Sequence, residues 1–299
     1  MEQQPTFKII NDDILSAVKG LKEQSVQAII TSPPYYNLRK YSKTKTLSKE
    51  EIGREKSITD YIEHLTTVFH ELKTVLKDDG LLWLNLGDTY INKELQGIPW
   101  RVALSLMNDG WILRSDVIWH KPNAMPSSVK SRPTVDHEYV FMFSKQKDYY
   151  YDADAIREPH ITFTSKSKMK GGRKHFGKIN GTPEKGKNSG NTNLHNGRWD
   201  QAFNPKGRNK RTVWSIPLSK FRGAHFAVFP KKLVEIPLKA SSKPGDTILD
   251  PFTGSGTTGV VSIEHNRNFL GVELEPEYAS MAKKRIQSAY PIDEQTSLF

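Results

Sequence analysis

The sequence predicts an α/β protein with a mostly parallel, doubly wound sheet. Two features carry that prediction. Short apolar runs of strand length alternate along the chain with segments of helical spacing. Near the C-terminal end a glycine turn, Gly254-Ser255-Gly256-Thr257-Thr258-Gly259, stands between a strand and a helix. At 299 residues the chain is long enough for one large α/β domain carrying an insertion.

Taken in order, Phe7 to Ile10 reads as a short strand ended by Asn11-Asp12-Asp13, and Ile14 to Leu21 has helical spacing. Val26 to Ile30 is an unbroken apolar run, the pattern of a strand buried on both faces. A polar stretch from Arg39 to Ser57 is expected as a mobile loop. From Ser57 to Leu76, apolar residues such as Tyr61, Leu65, Val68, Phe69 and Leu72 recur at three- and four-residue steps, giving an amphipathic helix. Asp78-Asp79-Gly80 is expected to stop it, with a strand from Leu81 to Leu86. A helix from Ile98 to Asn108 and strands at Trp111 to Trp119 and Glu138 to Ser144 follow. After a polar insertion, Thr212 to Ile216 is extended and Pro230 to Leu238 is helical. Thr247 to Leu249 and Phe269 to Val272 are strands; Thr258 to His265 and Pro276 to Ser288 are helices.

The stretch that gives the pattern its chemistry is Thr31-Ser32-Pro33-Pro34-Tyr35-Tyr36, which leaves the second strand. Each proline fixes its own φ, and Pro34 holds Pro33 extended, so the loop departs along a set path. Proline has no N–H. The carbonyls of Ser32 and Pro33 therefore escape local turn bonding and are available as acceptors, with Tyr35 as a flat face beside them. Such an arrangement suits a planar ligand bearing an amino group.

Charge is distributed unevenly. The chain carries a net +11, and residues 157–211 hold 14 Lys plus Arg against 3 Asp plus Glu, so the remainder is neutral. That one-sided segment, with eight glycines, reads either as a flexible solvated loop or as an arm that meets a polyanion; its one-sided sign favours the arm, with nucleic acid as the partner. Its few large apolar residues, Phe163, Phe176, Trp199 and Phe203, cannot build a core of their own, and parts of it are expected to order only on binding their polyanion. Cysteine is absent, which excludes disulfides, zinc–thiolate sites and cysteine nucleophiles, and fits a reducing compartment. No run approaches the about 18 apolar residues of a membrane span, and Met1-Glu2-Gln3-Gln4 lacks signal-peptide character. His64 and His70, six apart on a helix, do not share a face, and no metal site is expected. Trp119-His120-Lys121-Pro122-Asn123 either borders the site or merely ends a strand, and Asp88 is either a helix cap or a residue behind the site.

The glycine turn points to a cofactor that contains adenosine. Glu273 lies 17 residues beyond Gly256, at the end of the next strand, where a carboxylate reaches both ribose hydroxyls. Asp250 just before the turn separates the candidate cofactors. It would repel a pyrophosphate and pair with the amine of a methionine group, which favours S-adenosyl-L-methionine over a dinucleotide. Glu273-Leu274-Glu275 also lacks the basic residue that NADP favours.

At this point the residues resemble a known family. Ser-Pro-Pro-Tyr after a strand, with Asp250-Pro251-Phe252-Thr253-Gly254-Ser255-Gly256-Thr257-Thr258-Gly259 and Gly271-Val272-Glu273-Leu274-Glu275-Pro276-Glu277-Tyr278 downstream, is similar to the amino-directed DNA methyltransferases of bacterial restriction-modification systems. The order of catalytic motif, insertion and cofactor motif resembles their β class. The resemblance implies a Rossmann-like S-adenosylmethionine-dependent methyltransferase fold: residues 1–156 as the catalytic half, 157–211 as an inserted target recognition region, and 212–299 as the cofactor half.

Carried over residue by residue, it implies that Ser32 and the Pro33 carbonyl accept from the target amine, while Pro34 and Tyr35 complete the catalytic loop and Tyr35 stacks on the flipped base. Thr31, Asp250, Pro251, Phe252, Thr253, Gly254, Ser255, Gly256, Thr257 and Thr258 would surround the methionine part of the cofactor. Glu273 would hold its ribose and Asp13 its adenine amine, with Phe229, Pro230 and Lys231 packed beside the methionine end. Candidate DNA contacts are Arg39, Lys166, Lys168, Lys170, Arg173, Lys174, Arg198, Arg208 and Arg211. Ser at the first motif position goes in this family with the N4 amine of cytosine, and Asp with the N6 amine of adenine; cytosine N4 is the expectation here and adenine N6 the alternative. The implied partners are double-stranded DNA and a restriction endonuclease of the same sequence specificity. The protein is expected in the bacterial cytoplasm at the nucleoid, away from membranes, as a monomer or homodimer. Rival readings are a nucleic-acid-binding protein with a vestigial cofactor fold, and a dehydrogenase.

Overall fold

The computed structural model describes residues 4–37, 51–160, 206–219 and 229–290. The chain divides into two compact units, residues 1–152 with 212–299, and residues 153–211.

The first unit is built on an eight-stranded sheet. Its strands are β1 (Phe7–Ile10), β2 (Val26–Thr31), β3 (Leu76–Leu86), β6 (Ile112–His120), β7 (His137–Ser144), β8 (Val213–Ser215), β9 (Thr247–Asp250) and β10 (Asn268–Val272). A small separate ribbon pairs β4 (Tyr90–Ile91) with β5 (Glu94–Leu95). The order across the large sheet is β1-β10-β9-β2-β3-β7-β6-β8. Every neighbouring pair is parallel except those of β7, which runs against both β3 and β6. This is the mostly parallel sheet that the alternating pattern predicts.

The helices are α1 (Ile14–Ala17, continued by a 3-10 turn to Gly20), α2 (Ile58–Val75), α3 (Ile98–Asn108), α4 (Lys231–Ser241), α5 (Thr257–Glu264) and α6 (Pro276–Gln287). The chain crosses from β2 through α2 to β3 in one direction and from β9 through α5 to β10 in the other. Right-handed crossovers then place the two helices on opposite faces of the sheet. Accordingly α1, α2 and α3 pack together as one group and α4, α5 and α6 as another. The first group buries Tyr61, Leu65, Phe69 and Leu72 of α2 and Val102 and Leu106 of α3 against Ile29, Leu82, Leu84, Phe141 and Phe143. All six residues of β2 are buried, as its unbroken apolar run requires.

The helix expected over Pro230 to Leu238 runs on to Ser241, and that expected over Ile14 to Leu21 is α-helical only to Ala17; a third boundary differs in kind. Asp78-Asp79-Gly80 does not separate helix from strand. The helix ends at Val75, and the strand runs without a break from Leu76. The acidic residues are tolerated there because partners surround them. Asp78 pairs with Lys145 at 2.8 Å and accepts from Gln24 at 2.9 Å, and Asp79 accepts from Gln27 at 3.2 Å. The strand register shifts between Val26 and Ala28 to accommodate the extra residues.

In the second unit the two ends of the basic segment are clasped together. Glu158 and Arg208 exchange backbone hydrogen bonds of 2.8 and 2.9 Å. Asp154 pairs with Arg157 at 2.6 Å and with Lys206 at 3.0 Å.

Candidate active site

β2 and β9 lie side by side, and the chain winds away from them in both directions. The crevice beyond their C-terminal ends is the topological switch point, where open α/β sheets bind ligands. A cavity of about 300 Å³ opens there. Ser32, Pro33, Pro34 and Tyr35 line it from β2, Asp13 from the end of β1, and Phe229 from the start of α4. Asp250, Pro251, Phe252, Thr253, Gly254, Ser255, Thr257, Thr258 and Glu273 line it from the glycine turn and the end of β10. Residues from two motifs more than 200 positions apart thus face one space.

On the cofactor side, Asp250 is buried at the end of β9. Its Oδ1 accepts from the Thr31 hydroxyl at 2.7 Å and from the Phe252 amide at 3.1 Å; its Oδ2 accepts from the Thr258 hydroxyl at 2.7 Å. Burial pushes the carboxyl up to about 6, with those three hydrogen bonds pulling against it. Glu273 accepts from the Gly254 amide at 2.7 Å through Oε2 and from the Glu275 amide at 3.0 Å through Oε1. Burial pushes it up to about 7, and the charges of Asp250 and Glu275 add to that rise. Asp13 caps α1, accepting from the amides of Leu15 at 2.9 Å and Ser16 at 3.2 Å.

Four expected cofactor residues do not reach the cavity. Thr31 acts through Asp250. Gly256 has a φ of 82° and packs against α6, where a Cβ would lie 2.9 Å from that of Ala282. Its glycine is required by the backbone turn and by helix packing. Pro230 caps α4, and the exposed Lys231 turns away to pair with Glu264 at 2.5 Å.

On the other side, Ser-Pro-Pro-Tyr is held by residues far away in sequence. The Tyr61 hydroxyl donates to the Pro34 carbonyl at 2.9 Å. Among the described residues no hydrogen bond reaches the carbonyls of Ser32 and Pro33, so they remain available as acceptors. The Tyr35 ring lies on Gly87, where a Cβ would come within 2.7 Å of it. Its hydroxyl accepts from Ser32 at 3.2 Å and donates to Glu138 Oε2 at 2.7 Å. Asn85 Nδ2 donates to the same carboxylate oxygen at 3.0 Å, and the Lys121 ammonium pairs with Oε1. Burial, reinforced by the Glu138 charge, holds the Tyr35 phenol well above its ordinary pKa.

Trp119 and Lys121 both line the cavity just where β6 ends at His120, so the segment ends a strand and borders the site at once. Glu138 and Asn85 also line it, as do Glu51 and Ile52 from the end of the polar stretch, and none of these four stands out in the sequence. The only sequence signal for Glu138 is an acid at the head of an apolar strand. Asp88 proves to be the cap: it accepts from the amides of Thr89, Gly97 and Ile98 at 2.8, 2.9 and 3.1 Å, closing the ribbon onto α3.

The DNA contacts expected at Arg39, Lys166, Lys168, Lys170, Arg173, Lys174 and Arg198 fall outside the described residues, as do Phe163, Phe176, Trp199 and Phe203. Of the remaining two, Arg208 pairs with Glu158 at 3.0 Å, and Arg211 ends the second unit.

With this geometry in view, comparison with known proteins gives the class. The family model described as DNA methylase, covering N6 and N4 enzymes, matches residues 26–284. The chain belongs to that family. Within it, the chain is a type II DNA methyltransferase of the kind found in restriction-modification systems. It is 40% identical over 308 residues to the type II methyltransferase M.Cfr9I of Citrobacter freundii, covering 93% of this chain and 87% of that protein. It is also 40% identical over 310 residues to M.SmaI of Serratia marcescens, covering 93% and 90%. Among solved structures, the cytosine-N4-specific PvuII DNA methyltransferase superposes with a TM-score of 0.66 at 19% identity, over 97% of this chain and 93% of that one. The M1.HpyAVI–SAM complex does so with a TM-score of 0.57 at 21% identity, over 94% and 99%. These two likenesses establish the Rossmann-like methyltransferase fold.

The residues present fit S-adenosyl-L-methionine. Among the described residues the cavity is lined by seven carboxylates, those of Asp12, Asp13, Glu51, Glu138, Asp250, Glu273 and Glu275, and by one ammonium, that of Lys121. Such a wall suits a cationic amine and sulfonium and repels a pyrophosphate. The Thr257 hydroxyl and one Glu275 carboxylate oxygen are buried there without a hydrogen-bond partner among the described residues. Unmet buried groups of this kind are costly, and polar ligand atoms would satisfy them.

Proposed function

We propose that this chain transfers the methyl group of S-adenosyl-L-methionine to the exocyclic N4 amine of a cytosine flipped out of duplex DNA, at a specific sequence. The observation that carries the reading is the meeting of Ser32-Pro33-Pro34-Tyr35 and the acid-lined glycine turn in one cavity.

When bound, the cofactor supplies an electrophilic methyl group on a sulfonium. The chain does the rest. Glu273 would hold the ribose, Asp13 the adenine amine, and Asp250 with Pro251 to Ser255, Thr257 and Thr258 the methionine end. Ser32 and the Pro33 carbonyl accept from the two N–H groups of the target amine. Those bonds draw the nitrogen out of conjugation with the ring and free its lone pair for in-line attack. Tyr35 stacks on the extruded base and offsets part of the few kcal/mol that flipping costs. No covalent bond to the enzyme is needed, in keeping with a sequence that lacks cysteine and so cannot methylate a cytosine ring carbon by thiolate attack.

Ser32 in the first motif position favours cytosine N4; adenine N6 is the second reading, because both bases present an acceptor beside an amine. The basic segment is the proposed target recognition region. Double-stranded DNA is the partner, with a restriction endonuclease of the same specificity beside it. We place the enzyme in the cytoplasm, at the nucleoid. Its test is to incubate the protein with labelled cofactor and genomic duplex DNA, digest to nucleosides and separate them. N4-methyldeoxycytidine is expected. N6-methyldeoxyadenosine would overturn the choice of base, and no label in any nucleoside would overturn the activity.

A further inference from the structure

Methyl transfer to an amine leaves one proton too many. The new N–C bond forms with the nitrogen lone pair, the S–C bond breaks with its electrons remaining on sulfur, and the nitrogen must then release a hydrogen. The hydrogen bonds around Tyr35 have a direction that bears on where it goes. Ser32 donates to the Tyr35 hydroxyl at 3.2 Å, and that hydroxyl donates to Glu138 Oε2 at 2.7 Å. A phenol has only one hydrogen. Asn85 Oδ1 stands farther off, at 3.4 Å, and the Asn85 amide group itself donates to Glu138. Lys121 donates to the other carboxylate oxygen. Every neighbour of Glu138 in this network is thus a donor, and the carboxylate can only accept.

We propose that Glu138 is the positioning residue that orients this chain and takes up the proton of the methylated amine through Tyr35 and Ser32. The inference rests on the reading above in which Ser32 accepts from the target amine, and it holds for cytosine or adenine alike. The balance is complete. The amine proton passes to Ser32 Oγ as the Ser32 hydrogen passes to the Tyr35 oxygen and the Tyr35 hydrogen passes to Glu138. Serine and tyrosine end neutral, the methylated base ends neutral, and Glu138 ends protonated until solvent relieves it. A carboxylate is base enough, because an exocyclic nitrogen conjugated into a ring is a very weak base once methylated and cationic. Tyr35 cannot hold a negative charge where it lies, since burial and Glu138 keep its phenol protonated. It passes a proton on only as it receives one. Glu138 and Lys121 are both largely shielded, with side chains 14% and 16% exposed, so bulk water does not readily short-circuit the chain.

Two variants test this in single-turnover methylation of a duplex containing the target. Glu138→Gln keeps the shape and an acceptor oxygen but cannot take a proton. Tyr35→Phe keeps the aromatic platform and breaks the chain. Each is expected to slow transfer about 100-fold, the usual scale of a lost proton acceptor. Each should also lose the solvent deuterium isotope effect of the wild type. Two readouts apart from activity should not move: the fluorescence of 2-aminopurine at the target position, which reports base flipping, and the affinity for S-adenosylhomocysteine. Transfer within threefold of wild type in either variant would overturn the relay. So would slowing matched by an equal loss of the flipping signal, which would make Glu138 a clamp on Tyr35 and nothing more. Failure of the wild-type protein to methylate any DNA would instead sink the functional reading, before either variant is compared.

Discussion

The two sides of the cavity are held in opposite ways. On the cofactor side the supports come from close by in sequence. The Glu273 carboxylate is fixed by Gly254 and Glu275, and that of Asp250 by Phe252 and Thr258; the distant supports are Thr31 on Asp250 and, on the Glu273 backbone, Ile10 and Asn11. On the base side, Ser32 to Tyr35 is fixed by Tyr61, Gly87 and Glu138, which come from three other segments, and Glu138 is itself held by Asn85. In the proposed reading, a compact motif would meet the cofactor, while the base would be met by a loop whose geometry the whole sheet supplies.

This difference decides what can be read from sequence. The glycine turn, Asp250 and Glu273 are legible because motif and support coincide in one short stretch. Ser32-Pro33-Pro34-Tyr35 is legible as a motif. Its scaffold is not, since only the β3–β7 and β6–β7 pairing brings Asn85, Lys121 and Glu138 to one point. The alternation of strands and helices suffices for the fold. The end of α2 is obscured because Asp78 and Asp79 look like a helix stop until Lys145, Gln24 and Gln27 are brought beside them. Lys231 enters the cofactor set by motif alone, and its pairing with Glu264 is a surface contact between α4 and α5 that spacing does not reveal.

The comparison is sharpened first by Tyr35→Ala. Losing both the platform and the hydroxyl is expected to lower turnover about a thousandfold, combining stacking with proton transfer. Affinity for S-adenosylhomocysteine, measured by calorimetry, should stay within about twofold, a margin of roughly 0.4 kcal/mol. Glu273→Ala should do the reverse, weakening that affinity by about 1.5–3 kcal/mol, or roughly 10- to 150-fold, with little change in turnover at saturating cofactor.

A smaller effect is expected of Gly87→Ala. The added methyl would press on the Tyr35 ring, an overpacking that costs about 1–3 kcal/mol where the neighbour cannot give. Turnover should drop about tenfold with unchanged cofactor binding, and a normal rate would show that the ring is not seated on Gly87.

Carboxyl acidity provides a further contrast, with the raised Asp250 and Glu273 on the cofactor side. Asp250 and Glu273 have folded-state values of about 6 and about 7, above the ordinary 3.8 and 4.5. The folded protein therefore holds protons that the unfolded chain has already released. Stability of the cofactor-free protein should fall as the pH rises from about 4 to about 7 through these two groups and change no further through them above that. Thermal melting across that range checks it. Glu273→Gln should flatten the slope, and Tyr35→Phe should leave it as it is.

The basic segment belongs to the second unit and is tested by itself. Neutralising Lys166, Lys168 and Lys170 should weaken DNA binding at every sequence and reduce the log–log salt slope by about 0.9 for each phosphate left without its lysine. Cofactor affinity should not change. An unaltered slope would remove these three lysines from the DNA interface.

The most direct test of two independently held halves is the double variant Tyr35→Ala with Glu273→Ala, compared with each single variant by S-adenosylhomocysteine titration and by single-turnover rate at saturating cofactor. Independent halves predict that the double variant binds the cofactor product as Glu273→Ala does and turns over as Tyr35→Ala does, additive within about 0.5 kcal/mol. Coupling beyond that margin, or an equal loss of cofactor affinity in the two single variants, would contradict the division of the site.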